Sequence, residues 1–280
     1  MTRYDALFAK LEARNEGAFV PFVMIGDPDL ETSFEIIETL IAAGADALEL
    51  GVPFTDPVAD GPTIQEAHIR ALDAGVDLRG ALSVVKRIRD AHPDLPIGLL
   101  IYGNVPFSRG LDEFYADLAA VGADSVLIPD IPVREGTPFK QAANAHGIDQ
   151  IFIAPPSASE ATIASVAAHS TGYIYAVSRL GVTGAETAAS TTGLRELVDY
   201  LHSFQGAPAL LGFGISTPQH VRDAVEAGAA GAISGSAIVR IIGKHLTGEH
   251  PAVRTVADPQ ALTDELTSFV QAMKAATRRN

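Results

Sequence analysis

The chain has 280 residues, is 47% hydrophobic and carries a formal net charge of −14, a balance that excludes nucleic acid and anionic membrane surfaces as partners because their phosphates would be repelled. It contains no cysteine, which removes disulfides, thiolate nucleophiles and thiolate metal sites from consideration. No apolar run approaches the roughly 18 residues of a membrane span, and the N-terminus lacks an apolar signal core, so a cytoplasmic protein is expected. Length alone would suggest two domains, but α/β barrels of this size form one unit, and a single domain over 1–280 is expected.

In chain order, short apolar runs alternate with amphipathic stretches. The first stretch, Thr2–Arg14, reads as an extra N-terminal helix closing one end of the fold. Strands are predicted at Phe19–Ile25, Ala47–Leu50, Ile97–Tyr102, Ser125–Ile128, Gln150–Ile153, Tyr173–Val177, Ala209–Leu211 and Gly231–Ser234. Helices are predicted among them at Leu30–Ala43, Leu111–Val121, Val133–His146, Ser159–Ala168 and Pro218–Ala227, with a closing helix over Thr255–Thr277. Eight strands alternating with helices give a parallel sheet, and eight such units in this length give an α/β fold of the closed (β/α)8 barrel type. The doubly wound open sheet is the rival, but MIGDPDL after the first strand lacks the glycine-rich fingerprint that fold uses. AGADALEL (43–50), VGADSVLI (121–128) and AGAAGAIS (227–234) repeat one pattern of helix, glycine stop and strand, which marks unit boundaries.

The second strand ends on a carboxylate, Glu49, followed by a loop that holds Asp56 and Asp60. A buried strand has no packing use for Glu, and an uncompensated carboxylate there costs several kcal/mol. Barrel active sites lie at the C-terminal ends of strands, so Glu49 and Asp60 are the candidate acid–base pair. Asp27 in GDPD and Asp130 in PDIP are read instead as turn and cap residues. After the seventh and eighth strands run LGFGIS (211–216) and ISGSAIV (233–239), and Ser236 opens a short apolar helix. Small residues and a helix N-terminus favour an anion such as phosphate. The loop SRLGVTGAETAASTTG (178–193) reads as either a lid or a disordered connection, in which Gly184 would add a backbone donor to the phosphate and Thr183 would swing over the mouth. The five lysines fall in helices or beyond the last strand, which leaves no Schiff-base lysine at the mouth. The eight histidines fall in helices or at helix ends and are read as surface or capping residues, so no metal site is expected.

FVPFVMIGDP, AGADALELGVPFTDPVADGPTIQ, DEFY, VSRLGVTGAE, GFGIS, AGAAGAISGSAIV and QAMKAATR, in this order through nearly the whole chain, resemble the tryptophan synthase alpha subunit. The resemblance implies a lyase that cleaves indole-3-glycerol phosphate to indole and glyceraldehyde 3-phosphate in L-tryptophan biosynthesis. It implies Glu49 and Asp60 as catalytic residues and Gly184, Gly214, Gly235 and Ser236 as phosphate holders. Phe22, Leu100, Leu127, Tyr175, Thr183 and Phe213 would line the pocket or form its lid. It implies no cofactor in this chain, with pyridoxal phosphate confined to a beta subunit that joins in an alpha2beta2 heterotetramer. Pro53, Asp56, Pro57, Asn104 and Phe107 match the surface that meets this partner. A free-standing lyase and a non-catalytic phosphate-binding barrel are the other readings, and the latter would have lost Glu49 or Asp60.

Overall fold

The computed structural model describes residues 1–155, 157–177 and 193–279. Its parallel strands are β1 (Ala18–Met24), β2 (Leu48–Gly51), β3 (Ile97–Leu100), β4 (Ser125–Leu127), β5 (Asp149–Ile151), β6 (Ile153–Ala154), β7 (Ile174–Val177), β8 (Ala209–Gly212) and β9 (Gly231–Ser234). They are hydrogen-bonded in the order β5-β4-β3-β2-β1-β9-β8-β7-β6. The two ends of that order, β5 and β6, are halves of one segment, so the sheet curls round to meet itself as a barrel of eight strand positions. The segment Gln150–Ile153 was expected as one strand. It divides at Phe152, where pairing passes from β4 to β7: the Phe152 N–H donates to Ser170 Oγ at 3.3 Å and its carbonyl accepts the Tyr175 N–H at 3.1 Å, both on the β7 side.

The helices are α1 (Arg3–Ala13), α2 (Leu30–Ala42), α3 (Pro62–Asp73), α4 (Leu78–Ala91), α5 (Asn104–Arg109), α6 (Leu111–Val121), α7 (Thr137–Ala145), α8 (Glu160–His169), α9 (Leu194–Ser203), α10 (Pro218–Glu226), α11 (Ser236–Lys244) and α12 (Pro259–Ala275). Side chains of Thr2, Asp29, Asp77, Ser159, Thr217 and Asp258 accept the first free N–H groups of their helices, the usual use of such residues at N-caps. The repeated glycine stop is borne out, since Gly44, Gly122 and Gly228 all have positive φ where a helix gives way to a strand. Two expectations need correction. Val133–His146 is a 3-10 turn at Val133–Glu135 followed by α7, because Gly136 and Pro138 interrupt the helical bonding. The closing helix starts at Pro259, not Thr255, because Thr255–Val256 (β11) pairs antiparallel with Leu246–Thr247 (β10).

α1 closes the N-terminal end of the barrel, as expected of an extra helix. Its Tyr4 is buried, contacts Ser125 Oγ at 2.9 Å and lies against the ring of Tyr173, with centroids 5.4 Å apart. Beside it Asp124 accepts from Arg3 Nη1 at 2.8 Å, Arg89 Nη2 at 2.6 Å and the Ile97 N–H at 2.7 Å. The floor is therefore plugged and ionically stapled. The opposite end, where the strands finish, is open to ligands.

Candidate active site

Strand alternation aims every second side chain at the barrel interior. In β2, Leu48 and Leu50 are fully buried on one side, and Glu49 faces the other, in register with Phe22 of β1 and Gly98 of β3. Glu49 is only 2% exposed. Burial pushes its carboxyl up to about 8; the hydrogen bond from Tyr173 Oη to Oε1, at 3.0 Å, opposes that rise and the nearby charge of Asp60 adds to it. Among the described residues no lysine or arginine forms an ion pair with Glu49. A carboxyl in that state exchanges a proton near neutral pH.

Asp60 closes the loop after β2, its N–H bonded to Pro57 O at 3.0 Å. Its Oδ2 accepts from Tyr102 Oη at 2.7 Å and lies 3.2 Å from His68 Nε2. Pro62 then starts α3 at once, its missing N–H costing nothing at that position. Ile64 and His68, four residues apart, therefore share the helix face turned toward the barrel. His68 is 1% exposed, which corrects the reading of all histidines as surface or capping groups. The signal was available in the sequence: Ile64, Ala67, His68 and Ala71 form one stripe on a helix that opens directly after Asp60. Tyr102 and Tyr173, which hold the two carboxylates, were also missed; both stand at strand ends, where an aromatic reads first as core.

The opposite wall comes from β8 and β9. Gly212 lets the ring of Tyr175 cross directly over the backbone, since a Cβ there would sit 2.2 Å from the ring carbon Cζ. Phe213 has φ 64°, a conformation rare outside glycine, and its ring meets Tyr175 edge to face at 6.0 Å. Gly214 follows with φ 74°. Gly235 precedes α11 with no side chain capping the helix, and no acidic residue lies in its first turn. The N–H groups around Ser236 and the positive end of the helix dipole are thus available to an anion.

These walls enclose one pocket, apolar with a few convergent polar groups, as small-molecule sites are. Glu49 and Asp60 line it, with Phe22, Leu100, Leu127, Tyr175 and Phe213 as its apolar surface and Gly214, Gly235 and Ser236 at its far end. The structure thus brings together ten of the residues singled out in the sequence. Thr183 and Gly184 lie outside the described residues.

Residues matched to a partner surface behave differently. Asp56, Asn104 and Phe107 are exposed and Pro57 is half-buried, but Pro53 is buried, and this corrects its assignment to the surface. Phe54, Asn104, Val105, Phe107 and Ser108 border a shallow hollow, and Val58 is strongly exposed. Asp27 and Asp130 serve structure, as read: Asp27 takes a two-pronged bond from Arg70 at 2.6 and 2.7 Å, and Asp130 accepts the Gly103 N–H at 2.9 Å. Among the described residues no cluster of three metal-ligating side chains occurs.

Residues 8–277 match the family model described as "Tryptophan synthase alpha chain". A Corynebacterium efficiens protein named tryptophan synthase alpha chain is 61% identical over 279 residues, covering all of both chains. A Mycobacterium tuberculosis tryptophan synthase structure superposes with a TM-score of 0.85 at 29% identity, over 100% of this chain and 99% of that one. A chain from the tryptophan synthase complex of Pyrococcus furiosus gives a TM-score of 0.79 at 32% identity, over 92% of this chain and 98% of that one.

Proposed function

The chain belongs to the tryptophan synthase alpha chain family, and we propose that its pocket cleaves indole-3-glycerol phosphate with Glu49 as the proton-transfer group and Asp60 as the acceptor for the indole N–H. Members of this family are the lyase subunit of tryptophan biosynthesis, and the reaction is a retro-aldol cleavage. Glu49 in its protonated form delivers a proton to indole carbon 3, which turns the ring into an indolenine. The positive charge so created is delocalised to the ring nitrogen, where the Asp60 carboxylate stabilises it. The side-chain hydroxyl next to the scissile bond then loses its proton to the Glu49 carboxylate. The C–C electron pair returns to the indolenine, and indole and glyceraldehyde 3-phosphate separate. Because the substrate carries its own electron sink, the bond breaks without an external one, and pyridoxal phosphate is assigned to the beta partner alone.

The phosphate is assigned to the backbone N–H groups of Gly214, Gly235 and Ser236 at the start of α11, with Gly184 as a further donor. The indole is assigned to the surface of Phe22, Leu100, Leu127, Tyr175 and Phe213, with Thr183 as part of a lid. Asp56, Pro57, Asn104 and Phe107 are the part of the rim offered to a beta subunit, with Pro53 as buried support, and the assembly is an alpha2beta2 heterotetramer. A cytoplasmic location and a single domain over 1–280 fit this reading, and among the described residues no helix is long and apolar enough to cross a membrane. The observation that carries the proposal is the convergence of a buried carboxyl poised near neutral pH, a second carboxylate and an uncapped helix N-terminus on one pocket. Its test is indole release from indole-3-glycerol phosphate by Glu49→Gln and Asp60→Asn. Both variants should bind inorganic phosphate normally and lose cleavage; wild-type turnover in either one removes that residue from the mechanism.

A further inference from the structure

His68 does not line the pocket, yet it spans both ends of the loop that carries Asp60. Its Nδ1 accepts the backbone N–H of Phe54 at 2.9 Å. An amide N–H has only a proton to offer, so the ring's lone pair is at Nδ1 and its proton at Nε2. That proton is directed at Asp60 Oδ2, 3.2 Å away. The ring is 1% exposed and lies against Tyr102, with centroids 6.2 Å apart. Tyr102 braces the same loop in parallel: its hydroxyl donates to Asp60 Oδ2 at 2.7 Å and accepts the Ala59 N–H at 3.1 Å, and its ring stacks on Phe54 at 5.3 Å. From α3, Gln65 Nε2 donates to the Asp60 carbonyl at 2.7 Å. The helix thus grips Asp60 by two side chains, one on its backbone and one on its carboxylate.

We propose that His68 is a positioning residue for the lyase reaction, fixing the Asp60 carboxylate relative to α3 while tying it to the Phe54 end of the loop, without touching substrate. The inference rests on the role proposed above for Asp60. A carboxylate with an oxygen held by two donors keeps one torsion, and an acceptor of fixed orientation stabilises a developing charge without reorganising during the reaction. The effect of losing His68 therefore falls on turnover and leaves binding alone. The bond from Phe54 also sets the tautomer whose proton serves Asp60, so one ring bridges the two residues.

The experiment is steady-state indole release by wild type, His68→Leu, His68→Asn and Asp60→Asn, with 15N spectra of the wild-type imidazole. His68→Leu, which removes both polar atoms, should lower kcat by about tenfold or more, the scale of one hydrogen bond to a charged group, while KM and inorganic-phosphate affinity stay within about twofold. His68→Asn, whose amide keeps an acceptor and a donor, should recover most of the loss. The spectra should show Nδ1 bare and Nε2 protonated. Wild-type kcat in His68→Leu, no recovery in His68→Asn, or a proton on Nδ1 overturns the inference. Should His68→Leu fail to fold, the asparagine variant and the wild-type spectra still decide it. An active Asp60→Asn would overturn the Asp60 reading itself, whereas an inactive Asp60→Asn beside normal His68 variants would overturn this inference alone.

Discussion

The floor and the mouth of the barrel both hold buried carboxylates, and they treat them in opposite ways. At the floor Asp124 is met by two guanidiniums, from Arg3 and Arg89, and by a backbone N–H. At the mouth Glu49 is met by the phenol of Tyr173 and the charge of Asp60, which together with burial leave its proton loosely held near neutral pH. A buried carboxylate matched by cations is fixed in one charge state and serves stability; one met by hydroxyls and a like charge is able to change state. The floor thus holds the barrel shut, and the mouth retains a group able to exchange a proton.

Glu49→Gln should cut indole release by about a hundredfold to ten-thousandfold in a discontinuous assay with indole-3-glycerol phosphate, leaving phosphate affinity intact. Arg89→Leu should do the reverse. It leaves Asp124 with the half-exposed Arg3 as its one remaining cation beside the Ile97 N–H, and also abandons the carbonyls of Gly122, His92 and Leu95. A loss of about 3–5 kcal/mol is expected by urea unfolding, with activity per folded molecule preserved. Gly214→Val forces a branched side chain into a φ of 74° at the end of the pocket proposed to hold phosphate, and should raise KM by about tenfold with a smaller change in kcat. Asp56→Ala, on the exposed rim, should lower activation by the beta subunit more than cleavage by the chain alone; equal losses in the two assays would sink the idea that Asp56 serves the partner.

The smallest effect sharpens the contrast thermodynamically. A carboxyl whose value is raised in the folded state binds a proton there that the unfolded chain has already released. Stability from Glu49 is therefore full below its ordinary 4.5 and is lost as the pH rises toward about 8. Glu49→Gln removes that loss, so the melting temperature of the variant should pull ahead of wild type progressively across this window. A constant difference from pH 5 to pH 8 would mean that Glu49 does not carry the raised value.

Much of this was legible in the sequence because it is written in local patterns. A Glu closing an apolar run, a glycine before each of three strands, and small residues after β8 and β9 each carry a physical reason that needs no tertiary context. The remainder depends on contacts between distant segments. The strand over Gln150–Ile153 divides at Phe152 because its pairing changes there from β4 to β7, a change that no alternation pattern reveals. Pro53 shares a loop with the exposed Asp56 yet is buried. The stripe that carries His68 is visible in the sequence, but the tautomer of the ring acquires a meaning only when Phe54 and Asp60 are both set against it.

The most direct test of the mouth's role is to measure indole release by the isolated wild-type chain and by Glu49→Gln side by side, each shown to bind inorganic phosphate equally well. Slow but measurable release by wild type and none by the variant is the predicted result. Release by Glu49→Gln at the wild-type rate would contradict the assignment of proton transfer to this carboxyl.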